Sequence, residues 1–224
     1  MKRKKISVIV VLFIICFIYE PTFAQGDFTI ARLKYRGGGD WYNDPSSIPN
    51  LLKFMKNNTT INTASDEKRV NIMSEELFSY PVLFMTGHGK VIFSDEEATR
   101  LRKYLTNGGF LYADDDYGMD KYFRSEIKKV FPGKDLVELP FTHPIYSCHF
   151  NFPNGLPKIH EHDGGTPHGY GIFHEGRLVV FYTFNTNISD GWPDPQVHGD
   201  PEAKRLEALK LGTNIFVYAL RGLY

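Results

Sequence analysis

The stretch FLYADDDYGMDKYFR, Phe110–Arg124, joins an apolar run, three consecutive aspartates and the start of an amphipathic segment. An unbroken apolar run of this length is typical of a strand that is buried on both faces of a sheet. Phe123, Ile127 and Val130 then recur at helical spacing until a Pro-Gly pair follows them. The stretch therefore predicts a buried strand, an acidic loop and a helix at 120–131, the repeating unit of an α/β fold.

The flanking sequence continues this alternation. Apolar patterning predicts further strands at 28–35, 81–86, 158–162 and 177–185. Helical periodicity predicts helices at 46–58, after the capping box of Ser94 and Glu97, and from 200–201 onward. We therefore expect an α/β fold with a mostly parallel sheet, helices on both faces and a loop-rich second half.

Residues 1–24 have the composition of a secretory signal peptide. Four basic residues precede an apolar segment shorter than the roughly 20 residues that span a bilayer, and Thr22-Phe23-Ala24 resembles a cleavage site. Cleavage after Ala24 would leave residues 25–224 as a single periplasmic or secreted domain without a membrane span. An uncleaved N-terminal anchor is the alternative.

The charge of the remaining chain excludes one class of partner. Residues 25–224 carry 22 basic and 25 acidic side chains, a formal charge of −3. Nucleic-acid-binding domains are strongly basic, so we expect no nucleic-acid partner. Cys148 is the one cysteine in this range, so no internal disulfide is expected.

Three loops rich in acids, histidine or glycine follow predicted strands. They contain the candidate catalytic residues Asp115, Asp116 and His88 and the candidate ligand-binding residues Gly38, Gly39, Asp40 and Trp41. Because the carboxyl ends of parallel strands meet at one edge of a sheet, we expect these side chains to face a common cleft above the core. The alternative is that the aspartates cap the next helix and brace neighbouring loops.

The segment KIHEHDGG, residues 158–165, is the richest in possible metal ligands. If 158–162 is a strand, His160 and His162 point to the same face, as two ligands of a divalent metal would. The alternative is that both imidazoles hydrogen-bond to loops. We expect these histidines to approach the aspartates of residues 114–116.

Aromatic and basic residues near the same loops suggest further ligand contacts. Trp41 in GGGDWYNDP and Trp192 in SDGWPDP could each form a platform for a sugar ring, or could simply cover the core. Arg124, one turn into the predicted helix, could bind an anion. The glycine spacing fits neither a dinucleotide fingerprint nor a P-loop, so nucleotide binding is not expected.

Several motifs in a fixed order carry a resemblance to a known family. They are YRGGGDWYNDP, YPVLFMTGHG, LRKYLTNGGFLYADDDYGMDKYFR, LPKIHEHDGG, GRLVVFYTFN, DGWPDP and GTNIFVYAL. The chain resembles a bacterial envelope family classed as a domain of unknown function. This resemblance implies a flavodoxin-like fold similar to class I glutamine amidotransferases and the trehalose-utilisation family, and it implies no known reaction. Members are also similar to domains attached to membrane-anchored envelope proteins, and an envelope protein is the partner expected of an assembly module.

The sequence departs from the amidotransferases at the nucleophile. Those enzymes place a cysteine on a strand-to-helix turn, whereas the corresponding turn here is ADDDYG. Cys148 lies in an irregular segment, and His149 would point away from it on an extended chain. Glutamine amidotransfer is therefore not expected.

Two classes of function fit these observations. The first is a hydrolase or lyase that acts on a polar substrate such as a carbohydrate, with an aspartate as base or metal ligand and the histidines as ligands or acid. The second is a non-catalytic binding or assembly module of the cell envelope. The dense polar loops favour the first class, and the lack of a complete catalytic triad favours the second.

Overall fold

Seven strands and four helices form the regular structure of residues 27–160, 162 and 164–222, which are the residues that the computed structural model describes. The strands are β1 (Ala31–Lys34), β2 (Lys68–Asn71), β3 (Val82–His88), β4 (Phe110–Tyr117), β5 (Val137–Glu138), β6 (His168–His174) and β7 (Arg177–Phe184). The helices are α1 (Ser47–Asn58), α2 (Asp95–Thr106), α3 (Asp120–Val130) and α4 (Glu202–Arg221). The predicted signal peptide, residues 1–24, lies outside the described residues.

The seven strands belong to one sheet with the order β2-β1-β3-β4-β7-β6-β5. Neighbouring strands from β2 to β7 are parallel, whereas β6 pairs antiparallel with both β7 and β5. This confirms the predicted α/β class with a mostly parallel sheet and is consistent with a flavodoxin-like fold. The strand order reverses between β1 and β3, and ligands in such sheets bind at the carboxyl ends of the strands beside this reversal.

Alternation of side chains along the central strands creates two apolar layers. In β3, Leu83 and Met85 face one side of the sheet, and Val82 and Phe84 face the other. Helices α2 and α3 cover the first side, and helices α1 and α4 cover the second. Each large apolar side chain buried in this way contributes roughly 1.5–3 kcal/mol relative to exposure, so the two layers hold the carboxyl edge of the sheet in place.

Local sequence explains where the helices begin. The Ser94 side chain accepts the Glu97 N–H and the Glu97 carboxylate accepts the Ser94 N–H, which is the predicted capping box. The last helix begins at Glu202 after Pro201, and no side chain caps it, so Asp200 remains available to other contacts. Across the described ranges, no helix combines the length and the apolar character needed to cross a membrane.

The structure differs from the prediction in three respects. The strand predicted at 158–162 is absent from the described residues 158–160 and 162, where Ile159 bonds through its N–H to the carbonyl of Thr186 without a continuing ladder. The strands β2, β5 and β6 were not predicted. β2 contains one buried residue in the sequence KRVN, and β6 contains two glycines, so neither shows a strand pattern of its own. β4 continues through all three aspartates to Tyr117 instead of ending at residue 113.

Gly87, at the carboxyl end of β3, allows the loop after β1 to pack closely against the sheet. Its φ is +139°, and a Cβ at this position would overlap the Tyr35 hydroxyl and lie 3.0 Å from Asp40 Oδ1. The Tyr35 hydroxyl donates to the carbonyl of Thr86 at 3.0 Å, so it cannot move aside freely. Glycine at this position therefore sets the distance between the two loops.

Replacing Gly87 by alanine should destabilise the protein by more than about 2 kcal/mol, because overpacking costs about 1–3 kcal/mol and the positive φ adds strain. Gly89→Ala is the matched control, since Gly89 has a φ of +75° but open space around its Cα. The control should lose about 1 kcal/mol from backbone strain alone. Denaturant unfolding of both variants measures the difference, and equal losses would contradict the packing explanation.

Candidate functional site

Loops from both halves of the chain meet at the carboxyl edge of the sheet, beside the reversal of strand order. They follow β1, β3, β4 and β7, and two longer segments join them immediately before β6 and before α4. The segment before β6 is tied to the loop after β7. Lys158 Nζ donates to Asn185 Oδ1 at 3.1 Å, Asn185 Nδ2 donates to the Thr166 carbonyl at 3.1 Å, and the Thr186 hydroxyl donates to the Pro157 carbonyl at 2.6 Å.

Asp114 braces β4 against β7 and the 3₁₀ helix Ile188–Gly191. One carboxylate oxygen accepts the Thr183 hydroxyl, and the other accepts the Ser189 N–H at 2.7 Å and the Ser189 hydroxyl at 2.8 Å. Burial raises the pKa of Asp114 to about 7, although these hydrogen bonds oppose the increase. Asp114 is therefore a structural residue, as the bracing alternative predicted.

Asp115 points to the opposite face of the sheet and caps the next helix. Its Oδ1 accepts the N–H of Met119, the residue that precedes α3, at 2.8 Å. Burial raises the pKa of Asp115 to about 6, with opposition from this bond and a further increase from the charges of Asp120 and Asp116. The capping alternative thus describes one part of its role, while Asp115 also lines a cavity described below.

Asp116 lies in a β-bulge. In the pairing of β3 with β4, Gly87 is opposite Asp115 and His88 is opposite Tyr117, which leaves Asp116 as the extra residue. Bulges of this kind redirect a side chain, and they are frequent beside functional sites. Asp116 Oδ2 accepts Asn43 Nδ2 at 2.6 Å, and burial raises the pKa of Asp116 against the opposing charge of His88.

The aspartates were expected to stand above the core and face a cleft, but all three are buried. Asp114, Asp115 and Asp116 are 0%, 4% and 2% exposed. The strand continues through them, and the loops after β1 and β7 fold over the edge and donate hydrogen bonds to Asp116 and Asp114, while Met119 donates to Asp115. These donors offset the cost of removing carboxylates from water.

His88 is held by Asp40 at the rim of the edge. Asp40 Oδ1 accepts the His88 N–H at 2.5 Å, and Asp40 Oδ2 lies 3.0 Å from His88 Nδ1. Partial burial acts to raise the pKa of Asp40, but the bonds from His88 outweigh it and the pKa is lowered. His88 Nδ1 also lies 3.3 Å from Asp116 Oδ2, so the imidazole sits between two carboxylates.

Of the predicted histidine pair, His162 lies next to an aspartate of residues 114–116. His88, Asp116 and His162, called the first triad below, each place one possible ligand atom within 4.8 Å of the others. The His160 ring lies beside this group, with its centroid 4.9 Å from that of His162. His160 Nδ1 is 3.7 Å from Asp200 Oδ1, so His160 connects the first triad to the segment before α4.

A second group with possible metal ligands was not predicted. Asp44, Asp190 and His198, called the second triad below, also lie within 4.8 Å of one another. The hydrogen bond to Asp44 raises the pKa of His198, and burial together with the charges of Asp116 and Asp114 raises the pKa of Asp190. The sequence alone does not identify this group, because nothing local relates His198 to Asp44, 154 positions earlier.

An open cavity of about 540 Å³ adjoins the first triad. Asp115, Asp116, His162, Lys121 and Asn185 lie on its wall together with five aromatic or glycine positions. Tyr117, also on the wall, is 54% exposed, and its ring centroid lies 4.5 Å from that of His162. A cavity of about 610 Å³ lies away from this chemistry, where α1 and α4 end.

Trp192 and Arg124, which were predicted to contact a ligand, do not line the cavity beside the first triad. Trp192 is fully buried and donates its indole N–H to the Ala208 carbonyl at 3.0 Å, so it packs in the core and offers no exposed platform. Arg124 donates to Asp120 at 2.7 Å and lies over the Tyr170 ring at 4.5 Å, facing a separate small cavity. The exposed ring next to the site is that of Tyr117.

The remaining predicted residues lie in the loop after β1. Trp41 is half-buried against the core, with Lys34 Nζ 5.4 Å from its ring centroid. Gly38 is exposed, whereas Gly39 is buried beneath Tyr35 and the His88 carbonyl, where a Cβ would not fit. The glycines therefore allow close loop packing next to Asp40.

A family model described as a domain of unknown function (DUF4159) matches residues 29–220. The chain belongs to this family. The match includes every strand of the sheet and both triads, so the whole candidate site lies within the DUF4159 domain. Comparison with curated proteins gives no match.

The cysteine of this DUF4159 domain lies away from both triads. Cys148 is half-buried, and its thiol donates to the Asn214 carbonyl at 3.2 Å. Burial raises the pKa of Cys148 to about 11, so very little thiolate is present near neutral pH. A thiol nucleophile of the amidotransferase type has no support in this geometry.

Asp114→Ala should destabilise the domain by more than about 2 kcal/mol, because each buried donor left without an acceptor costs about 1–3 kcal/mol. Asp114→Asn should lose less, since the amide oxygen can still accept from Ser189. Asp135→Ala is the control, because the Asp135 side chain is 82% exposed and surface changes stay within about 0.5 kcal/mol. Thermal unfolding compares the three variants. Similar transitions for Asp114→Ala and Asp135→Ala would show that Asp114 is not a brace.

Proposed function

We propose that this protein is an exported hydrolase that uses a divalent metal ion, held by His88, Asp116 and His162, to act on a polar substrate such as a carbohydrate. The observation that carries this proposal is the first triad itself, whose possible ligand atoms lie within 4.8 Å of one another beside an open cavity. Two imidazoles and one carboxylate form a ligand set that catalytic zinc sites use for hydrolysis.

The surroundings of the first triad support binding of a metal. Asp40 fixes His88 through the backbone N–H as well as the ring, and Asn43 and Asn187 hold the Asp116 carboxylate. Partners of this kind orient ligands before the metal binds. The bulge redirects Asp116 toward His88, and the His162 ring centroid lies 6.4 Å from that of His88.

The cavity supports hydrolysis of a polar substrate rather than a purely structural metal. A catalytic metal needs an open coordination position, which the cavity of about 540 Å³ provides on the side of His162 and Asp116. A divalent cation there would act as a Lewis acid and activate water. Tyr117 offers an exposed ring for a sugar face, and Lys121 and Asn185 offer donors for its hydroxyl groups.

His162→Ala should weaken zinc binding at least tenfold and abolish metal-dependent hydrolysis, because it removes one of three ligands. The control is His174→Ala, whose imidazole is half-buried beside Glu175 on the hairpin of β6 and β7. Zinc affinity is measured by calorimetry on chelator-treated, tag-free protein, and turnover is measured with chromogenic 4-nitrophenyl esters and glycosides.

The outcomes separate the two classes of function. Unchanged zinc affinity in folded His162→Ala would contradict the metal site. Zinc binding by the wild type without hydrolysis of any probe or envelope polysaccharide would contradict the hydrolase and favour a non-catalytic binding module. Hydrolysis that persists after chelation would contradict the metal-dependent mechanism.

Export is the second part of the proposal, supported by the basic, apolar and small-residue order of residues 1–24. We expect the protein from its native host to begin at Gln25 and to be found in the periplasm or the medium. Mass spectrometry of the intact protein measures the first residue. A chain that retains Met1 or Lys2 in the cytoplasm would contradict export, whereas the same terminus in the membrane fraction would indicate an uncleaved anchor.

A further inference from the structure

We propose that a second divalent cation, Zn²⁺ or Mn²⁺, binds at the second triad of Asp44, Asp190 and His198. The proposal uses residues separate from those of the first triad, and its test does not depend on hydrolysis. The three residues come from different parts of the chain: the loop after β1, the 3₁₀ helix after β7 and the segment before α4. One imidazole with two carboxylates suits borderline divalent cations such as these.

The geometry of the second triad is that of ligands around a common point. His198 Nε2 lies 2.9 Å from Asp44 Oδ2 and 3.9 Å from Asp190 Oδ1. All three possible ligand atoms are within 4.8 Å of one another, and ligand atoms around one tetrahedral cation at about 2.0–2.2 Å lie roughly 3.3–3.6 Å apart. Small side-chain movements would therefore complete the coordination.

An independent observation points to a cation at this position. Asp190 is 3% exposed, and within the described ranges its Oδ1 has no hydrogen-bond partner. A buried polar atom without a partner costs about 1–3 kcal/mol. An ion pair between His198 and Asp44 would satisfy the polar atoms of those two side chains, but it leaves Asp190 Oδ1 without a hydrogen-bond partner. A cation between the three residues satisfies it.

The other oxygen of Asp190 is already held in place. Asn187 Nδ2 donates to Asp190 Oδ2 at 3.3 Å, which leaves Oδ1 directed at His198. The same amide donates to Asp116 Oδ1 at 3.2 Å. Asn187 therefore fixes one carboxylate of each triad, and Asp190 and Asp116 are also within hydrogen-bonding distance of each other, so the two cations would occupy neighbouring sites.

A further buried carboxylate lies next to the second triad. Asp200 Oδ2 also has no partner among the described residues, and Asp200 Oδ1 faces His160 Nδ1 at 3.7 Å. The charge of Asp200 contributes to the raised pKa of His198, so the two groups are close. This adds negative charge around the second triad, which favours a cation there.

The test counts bound metal in tag-free protein purified from cells that express the full-length chain. After chelation, the protein is dialysed against ZnCl₂ or MnCl₂ and the metal per chain is measured by inductively coupled plasma mass spectrometry. We expect two cations per chain in the wild type, one in His198→Ala, one in His162→Ala and two in the control His174→Ala. Circular dichroism confirms that each variant is folded.

Asp44→Asn is the second variant for this site, because the near-isosteric amide preserves the loop if His198→Ala does not fold. It should also reduce the count to one. Loss of one cation in His198→Ala or Asp44→Asn with two retained in His162→Ala would support the second triad and contradict the proposed hydrolase site. Two cations retained in both folded second-triad variants, or a single wild-type cation lost only in His162→Ala, would overturn the second site. A single cation lost in variants of either triad would also overturn it, since the six residues would then share one ion.

Discussion

The burial of three consecutive carboxyl groups at the end of β4 is the constraint on which the rest of the site depends. Removing a carboxylate from water costs several kcal/mol unless donors replace the lost hydration. The donors to Asp114 and Asp116 come from the loops after β1 and β7, and the donor to Asp115 comes from the residue before α3. Satisfying these carboxylates therefore requires the loops to converge, and their convergence places the histidines around Asp116.

Much of this arrangement could be predicted from the sequence because the relevant signals are local. Apolar runs predicted β3 and β4, and a capping box predicted α2. The rule that ligands bind at the carboxyl ends of parallel strands predicted that His88 and Asp116 lie close together. The approach of His162 was also predicted, although the strand predicted at 158–162 is absent from the described residues 158–160 and 162. A bend and the bonds of Lys158 and Asn185 position that segment instead.

The remainder depends on tertiary contacts that leave no local pattern. The second triad joins residues up to 154 positions apart in irregular loops, where no periodicity relates one side chain to another. The burial of Asp114 could not be predicted for a similar reason, because its donors, Thr183 and Ser189, lie about 70 residues later. β6 pairs along its whole length with β7, yet its glycines and histidines give it the composition of a loop.

Backbone strain is concentrated in the same loops. Among the described residues, four non-glycine positions have a positive φ, and three of them, Asp44, Asn185 and Asn187, lie in the site. Each such residue costs of order 1–3 kcal/mol and persists only where the surrounding contacts enforce it. Asn185 and Asn187 form the bonds that hold the histidine segment and the two carboxylates, and Asp44 contacts His198. The fold thus accepts strain at the residues that orient the two triads, which is expected of a site selected for the position of its side chains rather than for stability.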